Sequence, residues 1–430
     1  MSVPEIRQEH TSSYYAATAN DPTRYPELTG AHSVDVCVVG AGFSGVATAL
    51  TLAERGYAVA LLEANRVGWG ASGRNGGQLI HGFSKDYKLA QELGPGHEEI
   101  IWNMAWRGHD IIHERIERYG IECDLVPGFL EVAAKDSHMS GLEAQYQQFE
   151  RFGHAWGYEL LDADATAKVT GTNRYRGALL TLRNGHLQPL NLCLGEARAA
   201  ASLGVSIFEQ SPAEYIVYGD RPRVVTAKGH VEASHVVLAG NAYHRLEPRH
   251  LSGYVFAAGS YIIATEPLDK AMREKVNPCG YAVCDTNEIV DYYRTTVDGR
   301  MLYGGRCNYS GRDPKDITAA IKPRMLNLYP QLEDVEVEFE WGGKIGIVLN
   351  RVPMLGRIED NVFYVQGYSG HGVNATHIMG EILADAICGT TERFDMFARI
   401  KHMRIPGSQW LGNQMLAMGM LYYRFRDWLS

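Results

Sequence analysis

The sequence predicts an α/β protein in two parts: a parallel-sheet domain assembled from separated pieces of chain, and an α+β domain with an antiparallel sheet. Three observations predict it. Near the start, an apolar run over residues 34–39 leads into glycines at 40, 42 and 45, a helical stretch and a second apolar run. Near the end, residues 361–387 repeat the order strand, glycines, helix. Between them, residues 246–340 carry short strand-like runs and a hairpin signal.

Val34–Val39 is β-branched and apolar, as a strand buried on both faces must be. Gly40, Gly42 and Gly45 follow in G-x-G-x-x-G spacing. Gly40 permits the tight turn, Gly42 lets backbone approach a pyrophosphate, and Gly45 lets the next helix pack on the strand. Val46–Arg55 reads as that helix, with Gly56 as its stop. Val59–Leu62 is the second strand. Glu63 ends it, about twenty residues past the glycines, where a carboxylate accepts bonds from ribose hydroxyls. Phe43, Ser44, Ala64 and Arg66 complete the expected contacts to a dinucleotide held on a helix N-terminus. This is a Rossmann-like unit.

A second glycine loop follows. Gly68, Gly70, Gly73, Gly76 and Gly77 alternate with Ala71, Ser72, Arg74, Asn75 and Gln78. So many glycines imply backbone running close to something flat or phosphorylated. A flavin enzyme uses such a loop beneath the pyrophosphate and along the isoalloxazine, whereas a nicotinamide enzyme does not need one. Gly70, Ala71, Ser72, Arg74, Asn75, Gly76, Gly77 and Gln78 are therefore expected at the cofactor.

The order G-x-G-x-x-G, acid, G-A-S-G-R-N-G-G resembles the D-amino-acid oxidase superfamily of FAD enzymes. Within it, the chain resembles the γ-glutamylputrescine oxidase group from about residue 11 onward. H-T-S-S-Y-Y, L-A-G-N-A-Y, D-Y-Y-R, L-Y-G-G, Q-G-Y-S-G-H-G-V and F-D-M-F-A carry the resemblance further along the chain. The fold it implies is a discontinuous Rossmann-like FAD-binding domain plus an α+β substrate domain with an antiparallel sheet. The expected pieces are 1–85, 177–245 and 341–395 for FAD, 86–176 and 246–340 for substrate, and 396–430 as a C-terminal arm.

Composition sets bounds. The chain has 430 residues, 21% charged and 45% hydrophobic, with formal net charge −9. That length buries a large core, and the negative balance argues against nucleic acid and anionic membrane. The N-terminus is polar and no run reaches the roughly 18 apolar residues of a bilayer span. The seven cysteines include no C-x-x-C pair, so reduced thiols, no zinc site and a cytoplasmic location are expected.

In chain order, Tyr14, Tyr15 and Tyr25 suggest that the polar leader packs on the body. Residues 97–119 carry apolar positions at helical spacing, Leu130–Ala134 reads as a strand, and Gly141–Phe152 as a helix. Leu190–Leu203 is helical, with Pro189 at its start. Val236–Leu238 is a buried strand ending in Ala239, Gly240 and Asn241, small residues that abut FAD in the superfamily. Ile289–Thr295 and Met301–Gly304 form a hairpin about Asp298-Gly299. Alternation puts Tyr292 and Arg294 on one face, Asp291 and Tyr293 on the other. One face is expected to look at the ligand, and a Tyr with an Arg suits a carboxylate. Val373–Ile387 is the last helix, with Ala375, Gly380 and Ala384 on its packing side. In the superfamily its N-terminus, here Gly370, His371, Gly372, Val373 and Asn374, points at the flavin pyrimidine, where the helix dipole stabilises negative charge.

The resemblance implies oxidation of a C–N bond beside CH₂ by hydride transfer to flavin N5. The products would be aldehyde, ammonia and hydrogen peroxide, with O2 as acceptor and a small amine as substrate. Lys344, His371 and Tyr293 are the candidate catalytic residues, Lys344 as the cation that speeds reaction with O2. Neither His nor Cys stands where relatives bond the flavin, so the FAD is expected to be non-covalent. Other readings stay open: an N-substituted or D-amino acid or a secondary-amine dicarboxylate as substrate, a quinone as acceptor, or a non-catalytic flavin-binding protein. An amino-acid substrate requires an Arg clamp close to the flavin; a γ-glutamyl amine requires its carboxylate far from it.

Overall fold

The computed structural model describes residues 7–153, 156–287, 290–308 and 313–405. Two sheets organise them. The first has the strand order Met354–Glu359, Val362–Gln366, Gly229–Leu238, Gly30–Val39, Val59–Leu62, Ser206–Phe208, with Ala213–Val217 and Arg223–Thr226 attached at one side. Its central pairings are parallel. Gly30–Val39 is buried on both faces only near its end, at Val36, Cys37 and Val38. Val36 and Val38 enter the core beneath the helices, while Cys37 enters the core on the other face. The apolar run over residues 36–39 is what such a buried stretch needs.

The second sheet runs Val337–Ile347, Phe256–Pro267, Arg300–Asn308, Tyr292–Thr295, Ala282–Asp285, Val126–Ala133, Gly177–His186, Gln78–Leu79, with Tyr158–Asp162 on Gly177–His186. It is antiparallel apart from the pair Ala282–Asp285 with Val126–Ala133. The hairpin turns at Gly299, whose φ of 90° only glycine adopts without strain.

Two boundaries differ from the sequence reading. Gly177–His186 hydrogen-bonds into the second sheet, and the chain returns to the first unit only at the helix Pro189–Ser202. The helix Glu98–Tyr119 serves both units. Its Ile101, Met104 and Ile112 join the core beneath the first sheet, while Trp102 and Trp106 pack with Ala133, Leu142, Phe149 and Leu179. Most of the expected arm 396–430 lies outside the described residues. The leader does pack on the body, with Tyr15 fully buried and the Tyr14 hydroxyl donating to Asp298 at 2.8 Å.

Four helices meet at one buried charge cluster. Arg115 lies 3.2 Å from Glu196, and His377 Nε2 lies 3.1 Å from the same carboxylate. Arg115 also donates to Thr51 Oγ1 at 2.8 Å. These side chains tie Glu98–Tyr119, Pro189–Ser202, Gly372–Ile387 and Phe43–Glu54 together. Close helix contact does the rest: a Cβ on Gly380 would stand 3.0 Å from Thr48 N.

No helix among the described residues is long and apolar enough to cross a membrane, and no group of three His, Cys, Asp or Glu among them is placed to hold a metal ion.

Candidate active site

A cavity of about 1670 Å³ lies between the two sheets. Pockets for single small ligands run to roughly 1000 Å³, so this one has room for a dinucleotide with a substrate beside it. Four segments form its floor, the first glycine turn, the second glycine loop, a middle turn at residues 239–241 and the last glycine turn, and hydrogen bonds join them. The Phe43 N–H donates to Ser72 Oγ at 2.9 Å, stitching the first glycine turn to the second loop. Ser44 Oγ donates to the Tyr368 hydroxyl at 2.8 Å, joining the first turn to the last. The Gly367 N–H donates to Asn241 Oδ1 at 2.9 Å, joining the last to the middle one.

The glycines are needed for space. A Cβ on Gly45 would sit 1.8 Å from the Gly40 carbonyl oxygen, and one on Gly42 would sit 2.9 Å from Ser72 Oγ. Glu63 closes the far edge of the first turn: its carboxylate accepts from the Ala41 N–H at 2.8 Å and the Asn65 N–H at 2.9 Å. Burial pushes this carboxyl up to about 7, against the pull of those two bonds. The helices Phe43–Glu54 and Gly372–Ile387 both start on the cavity wall, and neither gains a side-chain bond from its N-cap residue.

The second sheet is the roof. Tyr292 covers the loop, its ring so near Gly76 that a Cβ there would lie 2.6 Å away. Trp341 Nε1–H donates to the Arg74 carbonyl at 3.0 Å. Lys344 lines the cavity; its N–H donates to the Tyr243 hydroxyl at 3.1 Å, and its ammonium lies 5.8 Å from that ring centre. His371 Nε2 faces the His81 carbonyl at 2.8 Å, so that nitrogen carries the proton, and burial lowers the ring's pKa.

Of the sequence-derived residues, Gly40, Gly42, Phe43, Ser44, Glu63, Ala64, Gly70, Ala71, Ser72, Arg74, Asn75, Gly76, Gln78, Ala239, Gly240, Asn241, Gly370, His371, Gly372, Val373 and Asn374 line the cavity, as do Tyr292 and Lys344. Five do not. Tyr293 is in the substrate-domain core, stacked on Tyr303 and bonded to the Tyr329 hydroxyl at 2.8 Å, so it does not reach reactants. Arg294 shares a face with Tyr292 as alternation requires, but it is buried. Its guanidinium donates to the carbonyls of Gly76 and Leu187 at 2.9 and 3.0 Å and lies 3.2 Å from the Tyr15 hydroxyl. With Nη1 also 3.3 Å from His186 Nδ1, it holds the glycine loop and stays off the cavity wall. Arg66 pairs with Glu9 and Glu209. Gly45 and Gly77 act by admitting backbone; a Cβ on Gly77 would meet the Leu187 carbonyl oxygen at 2.2 Å. Two wall residues also spend their side chains on the protein: Asn374 on Gly82, Ala105 and His109, and Asn75 on its own loop.

The sequence reading missed His81, Tyr243, Tyr368 and Glu131 on the wall. Tyr368 stood inside Q-G-Y-S-G-H-G-V and carried a signal; Glu131 sat in a strand with no motif around it.

A profile of FAD dependent oxidoreductases, the DAO family, matches residues 35–386. The chain belongs to this family. As a DAO-family member it is an FAD-dependent oxidoreductase. It is 43% identical over 425 residues to gamma-glutamylputrescine oxidoreductase of Escherichia coli (strain K12), covering 98% of this chain and 99% of that protein. It is 39% identical over 427 residues to the probable oxidoreductase OrdL of Haemophilus influenzae, covering 98% of each. Among solved structures it is similar to glycine oxidase from Geobacillus kaustophilus: TM-score 0.71, 21% identity, 87% of this chain and 100% of that one. At that identity the likeness speaks for the fold alone. The wall fits FAD: two helix starts supply N–H groups for anionic parts of the cofactor, and glycine-lined backbone leaves space between floor and roof.

Proposed function

We propose that the chain oxidises the CH–NH bond of γ-glutamylputrescine or a similar polyamine derivative, with non-covalent FAD and with O2 as acceptor. The observation that carries the substrate choice is the commitment of Arg294. The arginine beside Tyr292 that an amino-acid substrate would use near the flavin is bonded to the protein. The near full-length relative named for γ-glutamylputrescine points the same way. Bound FAD supplies the hydride acceptor at N5. The glycine turns hold it, Ser72 and Glu63 fix the spacing between loops, and Tyr292 covers the reacting side against water. The start of Gly372–Ile387 presents the positive end of its dipole to charge developing there. Hydrolysis of the imine gives aldehyde and ammonia, and O2 leaves as hydrogen peroxide.

The test is anaerobic mixing with γ-glutamylputrescine: the yellow absorbance bleaches, and air restores it with one peroxide per turnover. A panel of N-substituted and D-amino acids gives slower bleaching. Acid precipitation leaves a colourless pellet beneath a yellow supernatant. A yellow pellet or a preferred amino-acid substrate contradicts the proposal.

In this reading Lys344 attracts the superoxide formed on the way to peroxide. Lys344→Met is expected to slow reoxidation of the reduced protein on the order of tenfold or more, measured by stopped flow against O2. An unchanged rate removes Lys344 from the oxygen step.

Glu63 links FAD binding to pH. In the apoprotein its carboxyl is raised to about 7. Ribose hydroxyls donating to the carboxylate favour the charged form, so binding releases a proton. The FAD Kd therefore falls as pH rises from about 6 to 8, by up to about tenfold per unit below the apoprotein pKa. Glu63→Gln flattens that profile, as titration of apoprotein with FAD would show.

A further inference from the structure

We propose that the lobe of the cavity around Glu131 reads the far end of the substrate by opposite charges. Glu131 takes an ammonium group and Lys85 a carboxylate, so the chain selects a primary amine whose other end is an α-amino acid. The inference rests on the amine-oxidising reading and adds the distal half of the substrate.

The register of the roof places the lobe. Tyr292 pairs with Cys284, Cys284 with Glu131, and Glu131 with Leu179. All four line the cavity, so they form one transverse row. Neighbouring strands lie about 5 Å apart, which sets the Glu131 backbone roughly 10 Å along the roof from that of Tyr292. Tyr292 covers the glycine loop, so Glu131 stands at the opposite end of the substrate space. Its sequence neighbours Leu130 and Val132 face the core on the other side of the sheet.

Burial raises the Glu131 carboxyl, and only the Gln145 hydrogen bond and the more distant Lys85 charge favour its ionised form. Glu131 makes no ion pair among the described residues. Lys85 lines the same cavity, next to Ser84, whose hydroxyl lies 3.4 Å from the Ser369 carbonyl in the last glycine turn. Lys85 also makes no ion pair among the described residues. The field of Lys85 reaches both Glu131 and His371. Two opposite charges share one cavity without touching each other, and each is left to a ligand. An α-amino acid head, with its ammonium and carboxylate on one carbon, satisfies both at once; a plain polyamine satisfies only Glu131.

The test compares FAD-loaded wild type, Glu131→Gln and Lys85→Met with γ-glutamylputrescine and N-acetylputrescine. Each substitution is expected to raise KM for γ-glutamylputrescine about tenfold or more, and to raise it several times more than for N-acetylputrescine. Calorimetric binding of γ-glutamylbutylamide, which keeps the head and chain without an oxidisable amine, weakens in parallel. Lys85 is exposed, so its variant keeps the test available should Glu131→Gln fold poorly. Equal effects on both substrates, or unchanged binding of the butylamide, overturn the inference. An effect of Glu131→Gln alone overturns the carboxylate half and indicates a polyamine. Should wild type oxidise neither amine while the butylamide still binds through Glu131 and Lys85, the head-group site stands and the function reading fails.

Discussion

Gly45→Ala is expected to yield colourless protein, less stable than wild type by about 3 kcal/mol, the upper end for overpacking a rigid site. The added Cβ would stand 1.8 Å from the Gly40 carbonyl oxygen and 3.0 Å from its carbon. Both are backbone atoms, so no side chain can swing aside. The Gly40 turn has no slack either: φ is 106° there, and the Ala239 carbonyl oxygen lies 3.0 Å from where its own Cβ would be. Relief requires the helix Phe43–Glu54 to lift off the strand Gly30–Val39, or the turn to open. Either movement pulls the Phe43 N–H away from Ser72 and removes the seat proposed for the pyrophosphate. Flavin absorbance per chain and urea denaturation would measure the two effects. Gly141→Ala is the control, since a Cβ there meets nothing within 4 Å. A yellow Gly45→Ala protein of wild-type stability would contradict the close packing described above.

Glu196→Gln is expected to destabilise the protein by about 3–5 kcal/mol at pH 7, the cost of removing one partner from a buried charge cluster. Glu196, His377 and Arg115 are at most 3% exposed. Glutamine keeps the shape but not the charge, leaving Arg115 with the partly exposed Glu54 as its carboxylate partner. FAD affinity falls as well, because His377 lies on the helix whose first turn faces the cavity. The pH dependence has a definite sign. Burial raises the Glu196 carboxyl, but His377 and Arg115 together outweigh it and hold it below the usual range. A depressed carboxyl stabilises the fold above its unfolded pKa, about 4.3, and that contribution is lost as pH falls through the folded value. The difference between wild type and Glu196→Gln should therefore be full at pH 7 and shrink below about pH 4. A constant difference across that range would show that the charge is not what holds the helices.

The glycine turns that line the cavity were legible because their signals are local. Gly40, Gly42 and Gly45 act at fixed offsets from one strand and one helix, and the same holds for Gly367, Gly370 and Gly372. The substrate side was less legible because its determinants are contacts between distant residues. Alternation put Tyr292 and Arg294 on one face correctly. It could not show that Gly76, Leu187 and Tyr15 would take up the guanidinium, nor that the opposite face of the hairpin packs Tyr293 on Tyr303 and Tyr329. Gly177–His186 has the same difficulty. Its apolar pattern suits either sheet, and only pairing with Val126–Ala133 decides. Glu131 drew no notice because its meaning comes from a strand neighbour, Cys284, far along the chain.

The most direct test of the central claim is an experimental structure of the yellow protein. The account predicts one FAD per chain, with its pyrophosphate at the start of Phe43–Glu54, its ribose at Glu63, and its pyrimidine edge at residues 370–373 beneath Tyr292. FAD bound elsewhere, or a pyrimidine edge turned away from the start of Gly372–Ile387, would contradict it.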